Sequence, residues 1–187
     1  MSMSVARKIL DEALAKNRFV VLHCFRGWCA AAYQKLPILT NSGGTLLHMT
    51  SENAEGAAKM AKRVKVEGKM TFFSDYDKEL SKELKLAILD AGYEPENFKD
   101  RKMVQPGIFV FNDKKEMIFK YIKEGEGPWG RPLPGSLFSI IAEHVKAAGE
   151  GPISAIPNEK TKDLPVQDKK ALEALKAELE PKGLYPE

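Results

Sequence analysis

The stretch from Phe19 to Pro37 constrains this chain more than any other. Phe19-Val-Val-Leu-His-Cys-Phe25 is a nearly unbroken apolar run, closed by Arg26-Gly27 and followed by Trp28-Cys29-Ala-Ala-Ala-Tyr-Gln-Lys-Leu-Pro37. Its apolar pattern alone suits a buried strand or a buried helix. The glycine turn and the helical composition after it point to a strand feeding a helix. On that reading Cys29 falls in the first helical turn, where unpaired backbone N–H groups and the helix dipole favour an anion. A thiol there ionises more readily than a free cysteine, and the thiolate is the reactive form.

The rest of the chain supplies a frame for this segment. Ser4 can cap a helix from Val5 to about Lys16, with Ile9, Leu10 and Leu14 on one stripe. The helix opened by Cys29 runs to about Leu39 and ends at Asn41-Ser-Gly-Gly44. Thr45–Met49 reads as a second buried strand, Ala54–Val64 as a helix and Met70–Phe73 as a short strand. Ser74-Asp75 introduces a helix from about Asp77 to Ile88 or Leu89, in which Leu80, Leu84 and Ile88 repeat every four residues. Ala91 to Lys102 is a loop or a broken helix. Gly107–Phe111, the polar turn Asn112–Glu116 and Met117–Ile122 make a hairpin, and Ser136–Ala148 is the last helix of the domain. The order implies a mixed α/β sheet with helices on both faces and an antiparallel hairpin at its C-terminal end.

Gly149-Glu-Gly-Pro152 marks the expected boundary between a domain, residues 1–149, and a Pro/Lys-rich tail, residues 150–187. The tail holds one amphipathic helix, about Val166 to Leu179, with Leu172, Leu175 and Leu179 on one face; this stripe is expected to dock on its own domain or on a second copy. The 29 basic and 26 acidic residues nearly balance, which argues against nucleic acid or an anionic membrane as partner. No apolar run is long enough for a membrane span, and Met1-Ser-Met-Ser4 has no leader pattern. Two cysteines make no disulfide framework, so a reducing cytoplasm is the expected location. His48 and His144 show no ligand spacing with the cysteines and no Gly-rich phosphate loop is present, so neither metal nor cofactor is expected.

Three of these segments carry a family resemblance, which extends over roughly Val5 to Ala148. Trp28-Cys29 stands where the thioredoxin superfamily has its Trp-Cys, and Pro37-Ile38-Leu39 where its active-site helix carries a kinking proline. Arg26-Gly27-Trp28-Cys29 resembles the peroxiredoxin-like branch, the alkyl hydroperoxide reductase and thiol-specific antioxidant group. Phe72-Phe-Ser-Asp75 and Pro106 before Gly107–Asn112 are similar to that branch and to the membrane-anchored reductase-like branch. The departure is Cys29-Ala-Ala-Ala32, which lacks the second cysteine of Cys-x-x-Cys.

The resemblance implies a thioredoxin-like fold and a single nucleophile, Cys29. Without a neighbouring thiol, turnover needs an external reductant, a second subunit or Cys24, which otherwise reads as core filler. His23 stands where related thioredoxins place a buried acidic proton acceptor, so it is either a proton shuttle or a satisfied core residue. Gln105-Pro106 corresponds to the cis-proline segment that faces the active-site cysteine, with Trp28 and Arg26 at the same substrate surface. The residues beside Pro106 include no arginine, so a peroxide-polarising cation has to come from Arg26, Arg101 or Arg131, each of which otherwise reads as a surface residue. The expected function is a thiol oxidoreductase that reduces peroxides or forms mixed disulfides, a possible homodimer served by an external thiol or a thioredoxin-type protein. The alternative is a redox-silent module of the same fold that binds a protein partner.

Overall fold

The computed structural model describes residues 3–24, 29–90, 97–124 and 130–183. Phe25, Arg26 and Trp28 and the first half of the Ala91–Lys102 loop, residues 91–96, therefore lie outside the described residues, as does the side chain of Arg101. The core is a five-stranded sheet in the order β3-β2-β1-β6-β7. Its strands are β1 (Phe19–Cys24), β2 (Gly44–Thr50), β3 (Thr71–Ser74), β6 (Gly107–Asn112) and β7 (Met117–Ile122). β1 pairs in parallel with β2 and antiparallel with β6, so the apolar run that opens the chain lies at the centre of the sheet. All six of its residues are buried, as a strand covered on both faces requires.

Alternation along β1 divides the core in two. Phe19 and Val21 join Leu36 and Leu39 of α2 (Cys29–Thr40) and Leu137, Phe138 and Ile141 of α5 (Pro134–Ala147). Val20, Leu22 and Cys24 join Leu10 and Leu14 of α1 (Val5–Lys16) and Leu80 of α4 (Glu79–Glu83) on the opposite face. The thioredoxin-like α/β architecture expected from the sequence is the one observed. Ser4 caps α1 by accepting from the Arg7 N–H at 3.1 Å. Pro134 takes the first position of α5, two residues before the expected start, where its missing N–H costs nothing.

The expected helix from Asp77 to Ile88 or Leu89 is largely absent. α4 covers only Glu79–Glu83, and Ile88–Asp90 is a short strand, β4, paired with β5 (Lys102–Val104). Lys78 and Lys85 both have positive φ, near 59°, and bracket the helix. The four-residue repeat fails for the same reason: Leu80 and Leu84 are buried but Ile88 is 40% exposed. What holds the short helix is Asp75, whose buried carboxylate accepts from Leu80 N–H, Ser81 N–H and the Ser81 hydroxyl at 3.2, 2.8 and 2.6 Å. A carboxylate at a helix start satisfies orphan donors that a five-residue helix has little else to satisfy.

The tail lies on the body. Ile153 and Ile156 are buried in the core cluster that holds Phe19 and Phe138, and α7 (Lys169–Leu179) buries Leu179. Asp168 caps α7 at 2.7 Å from the Ala171 N–H, so the helix starts three residues later than expected, and Val166 pairs instead with Pro132. No helix among the described residues is long and apolar enough to cross a membrane.

Candidate functional site

Strand register and a helix start create the site. In the parallel β1–β2 pair His23 lies opposite His48, near the carboxyl ends of both strands, where α/β sheets collect their ligands. Both rings point to the α2 face, and His23 Nδ1 comes within 3.0 Å of His48 Nδ1. Cys29 opens α2, and its sulfur is 3.3 Å from His48 Nδ1. Cys29, His23 and His48 are at most 1% exposed. Phe72 of β3 packs on the His48 ring at a centroid distance of 4.2 Å. Met60, Ala61, Val64 and Val66, from α3 (Ala54–Arg63) and the turn after it, surround Cys29.

His48 is the residue that sequence spacing passed over. Linear distance to a cysteine says nothing about strands that become neighbours. The usable signal was a histidine late in each of the first two apolar runs, His23 in Phe19–Phe25 and His48 in Thr45–Met49. The neighbour expected for Cys29 was His23; the structure puts His48 between them.

Burial makes the hydrogen-bond roles decidable. Burial, then the charges of His48 and Arg131, push the His23 pKa well below its ordinary value, so its ring is neutral. One hydrogen shared between His48 Nδ1 and His23 Nδ1 serves the 3.0 Å contact between the rings, and the Cys29 sulfur lies 3.3 Å from the same His48 nitrogen. The three groups lie in the order Cys29, His48, His23.

Arg131 completes the charge balance. It is 3% exposed, against the surface reading that stood beside its candidate role. Burial pulls its pKa down, while the charges of Cys29 and Tyr121 push it back up. The charge of Arg131 and that of an ionised Cys29 favour each other. Arg131 lies in the loop before α5.

Arg26 and Trp28 lie outside the described residues, and the other expected site residues are Cys24, Gln105 and Pro106. Cys24 points into the opposite core cluster, and both thiols are free. Burial, then the Asp75 charge, raise the Cys24 pKa well above its ordinary value, so it stays a neutral thiol. Gln105 acts as a structural bracket: its amide accepts from the Ala87 N–H at 3.2 Å and donates to the Lys123 carbonyl at 3.0 Å. Pro106 accepts at its carbonyl from the Lys123 N–H at 3.0 Å. The cis-proline expectation is corrected, because no cis peptide occurs among the described residues.

His23, Cys29 and His48 present three ligand atoms within 4.8 Å of one another, a donor set of the kind that holds zinc. The sulfur, however, is 3.3 Å from Nδ1 and 3.9 Å from Nε2 of His48, so it flanks the ring rather than facing one lone pair. That arrangement suits a proton passed between neighbouring groups better than ligation of a cation.

Comparison with solved structures gives the fold a name. AhpC of Mycobacterium bovis is similar at a TM-score of 0.52 over 71% of this chain and 72% of its own, with 11% identity. The peroxidoxin BcpB of Mycobacterium tuberculosis is similar at 0.51 over 76% of this chain and 86% of its own, with 12% identity. Reduced Prx3 of Vibrio vulnificus, solved in complex with hydrogen peroxide, matches at 0.50 over 64% of this chain and 76% of its own, with 14% identity. No protein-family model and no curated protein matches the sequence. The chain therefore has a peroxiredoxin-like thioredoxin fold. At these identities the likeness carries the fold and leaves the chemistry to the site.

Proposed function

We propose that this chain is a thiol-dependent oxidoreductase, a single-cysteine peroxiredoxin-like antioxidant that acts through Cys29. The observation that carries this reading is the contact of the Cys29 sulfur with His48 Nδ1 at 3.3 Å, at the start of α2. His48 accepts the thiol proton. The thiolate attacks one oxygen of a hydroperoxide, a sulfur–oxygen bond forms as the oxygen–oxygen bond breaks, and the leaving alkoxide takes a proton to become an alcohol or water. Cys29 is then a sulfenic acid, two electrons more oxidised. One external thiol displaces water to form a mixed disulfide, and a second releases Cys29 and leaves as the external disulfide. Because Cys24 faces the other side of the sheet, the reductant comes from outside the chain. Arg131 holds the anionic sulfur and attracts the peroxide. A reducing cytoplasm and an external thiol or thioredoxin-type reductant follow from this chemistry.

The rival reading, a redox-silent module that binds a protein, draws on the near-complete burial of Cys29 among apolar side chains. Peroxide consumption separates the two. Cys29→Ser is expected to abolish hydroperoxide turnover supported by a small thiol, with the fold retained. Cys24→Ser is expected to keep turnover and to lose a little stability from a core strand. Equal turnover by parent and Cys29→Ser would remove the claim for Cys29, and no turnover by the parent would leave the module as the surviving reading.

A further inference from the structure

The turn that closes over Cys29 is strongly basic. Val64 and Val66, just after α3, are buried in the cluster that holds Cys29. Lys65 between them has a φ of 57° and stays exposed, so the turn buries two valines and presents a cation outward. Residues 62–69 read Lys-Arg-Val-Lys-Val-Glu-Gly-Lys, four cations against the one carboxylate of Glu67.

Contacts tie these cations to the helix that carries the thiol. Lys69 Nζ stands 4.7 Å from the centre of the Tyr33 ring. Tyr33, one turn along α2 from Cys29, packs on the same cluster. Lys182 comes to the next residue from the tail, with Nζ 3.5 Å from Gln34 Oε1. A Cβ on Gly183 would meet Lys65 Nζ at 2.7 Å, which places the Lys65 ammonium at that same end of the tail. Lys59, Lys99, Lys102 and Lys115 each face a carboxylate, and Lys182 shares Glu178 at 3.7 Å. Lys65 and Lys69 have no carboxylate partner among the described residues. Cations gathered without counter-charge attract anions over about 10 Å at 0.1 M salt.

We propose that Lys65 and Lys69, with Lys182, form a docking rim for a small carboxylate-bearing thiol or its disulfide, and steer such reagents onto Cys29 ahead of neutral or cationic ones. This rests on the reading of Cys29 as the reactive thiol and gives its external thiol a chemical class. In turnover, the carboxylate-bearing thiol attacks the sulfenic acid of Cys29, a sulfur–sulfur bond forms, and hydroxide leaves with the thiol proton as water. In exchange, the Cys29 thiolate attacks one sulfur of the disulfide, that sulfur–sulfur bond breaks, and the released half departs as a thiolate.

The test measures the exchange rate of Cys29 in the full-length Cys24→Ser chain with three aliphatic disulfides of different charge. These are dithiodiglycolate, hydroxyethyl disulfide and cystamine, each rate divided by that for N-acetylcysteine amide. The ratio between reagents at one pH cancels both the thiolate fraction and the access to the thiol. The expected result is a preference of about tenfold for dithiodiglycolate over cystamine at low salt. It should largely vanish near 1 M salt, where the screening length is about 3 Å. The double variant Lys65→Asn/Lys69→Gln should lose most of the preference, with Asn chosen because it tolerates positive φ. Lys69→Gln alone, expected to lose part of it, serves if the double variant does not fold. Lys114→Gln removes a charge from the β6–β7 turn, where Asn112 lies opposite Phe19 at the far end of β1, and should keep the preference. Equal relative rates in the parent, or a preference that survives the lysine variants, would overturn the rim and leave the reactive thiol standing. A folded parent that reacts with none of the three would remove the reactive thiol, and the rim with it.

Discussion

His23 ties the chemistry of the site to the stability of the fold. Its pKa is pushed well below 6.5 by burial, His48 and Arg131. The unfolded chain therefore binds a proton near pH 6.5 that the native chain refuses until lower pH. Stability from this group is complete above about 6.5 and drains away as pH falls toward the lowered native value, at up to about 1.4 kcal/mol per pH unit for one proton. Urea midpoints measured between pH 7.5 and 5 are expected to fall more steeply in the parent than in His23→Gln. Parallel curves would mean that His23 is not held neutral. The same buried pair shows what the sequence could and could not disclose about the site. Cys29 was legible, because a Trp-Cys after an apolar run states its own place at a helix start. His48 was not, because its nearness to the sulfur is made by strand register, which leaves no local pattern; Arg131 was one of three candidate arginines that nothing local could rank.

At the scale of elements, the central strand pair depends on one absent side chain. Gly44 lies opposite Phe19 across the β1–β2 pair, and a Cβ there would come within 2.2 Å of the Phe19 ring. Phe19 is fully buried among α2 and α5 side chains and has no room to withdraw. Gly44→Ala is expected to destabilise by about 1–3 kcal/mol or more through overpacking, read as a lower denaturation midpoint with an unchanged slope. A neutral substitution would show that the ring moves freely. Elements with a strong period were readable from sequence: α1, β1, α2, β2, α3 and the β6–β7 hairpin all fall within a residue or two of expectation. The stretch from Asp77 to Leu89 was not, because two lysines in the left-handed region cut the helix short, and positive φ at lysine has no sequence signal.

The whole molecule is a sheet domain with its tail built in. Asn112 donates its amide to the Ile153 carbonyl at 2.9 Å, Ile156 N–H donates to the Ile118 carbonyl at 2.8 Å, and His144 Nε2 lies 2.8 Å from the Ser154 carbonyl. Ile153, Ile156 and Leu179 are each buried, a contribution of about 1.5–3 kcal/mol per side chain. Truncation after Gly149 is expected to lower the melting temperature and to expose apolar surface to a hydrophobic dye. An unchanged melting temperature would make the tail an ornament. The central claim concerns Cys29, and alkylation of that thiol as a function of pH, in a Cys24→Ser background, tests it most directly. Next to His48 and Arg131, Cys29 is expected to react with an apparent pKa well below the free-cysteine value of about 8.5. A thiol that titrates at or above that value, or that resists alkylation until the chain unfolds, would contradict the account.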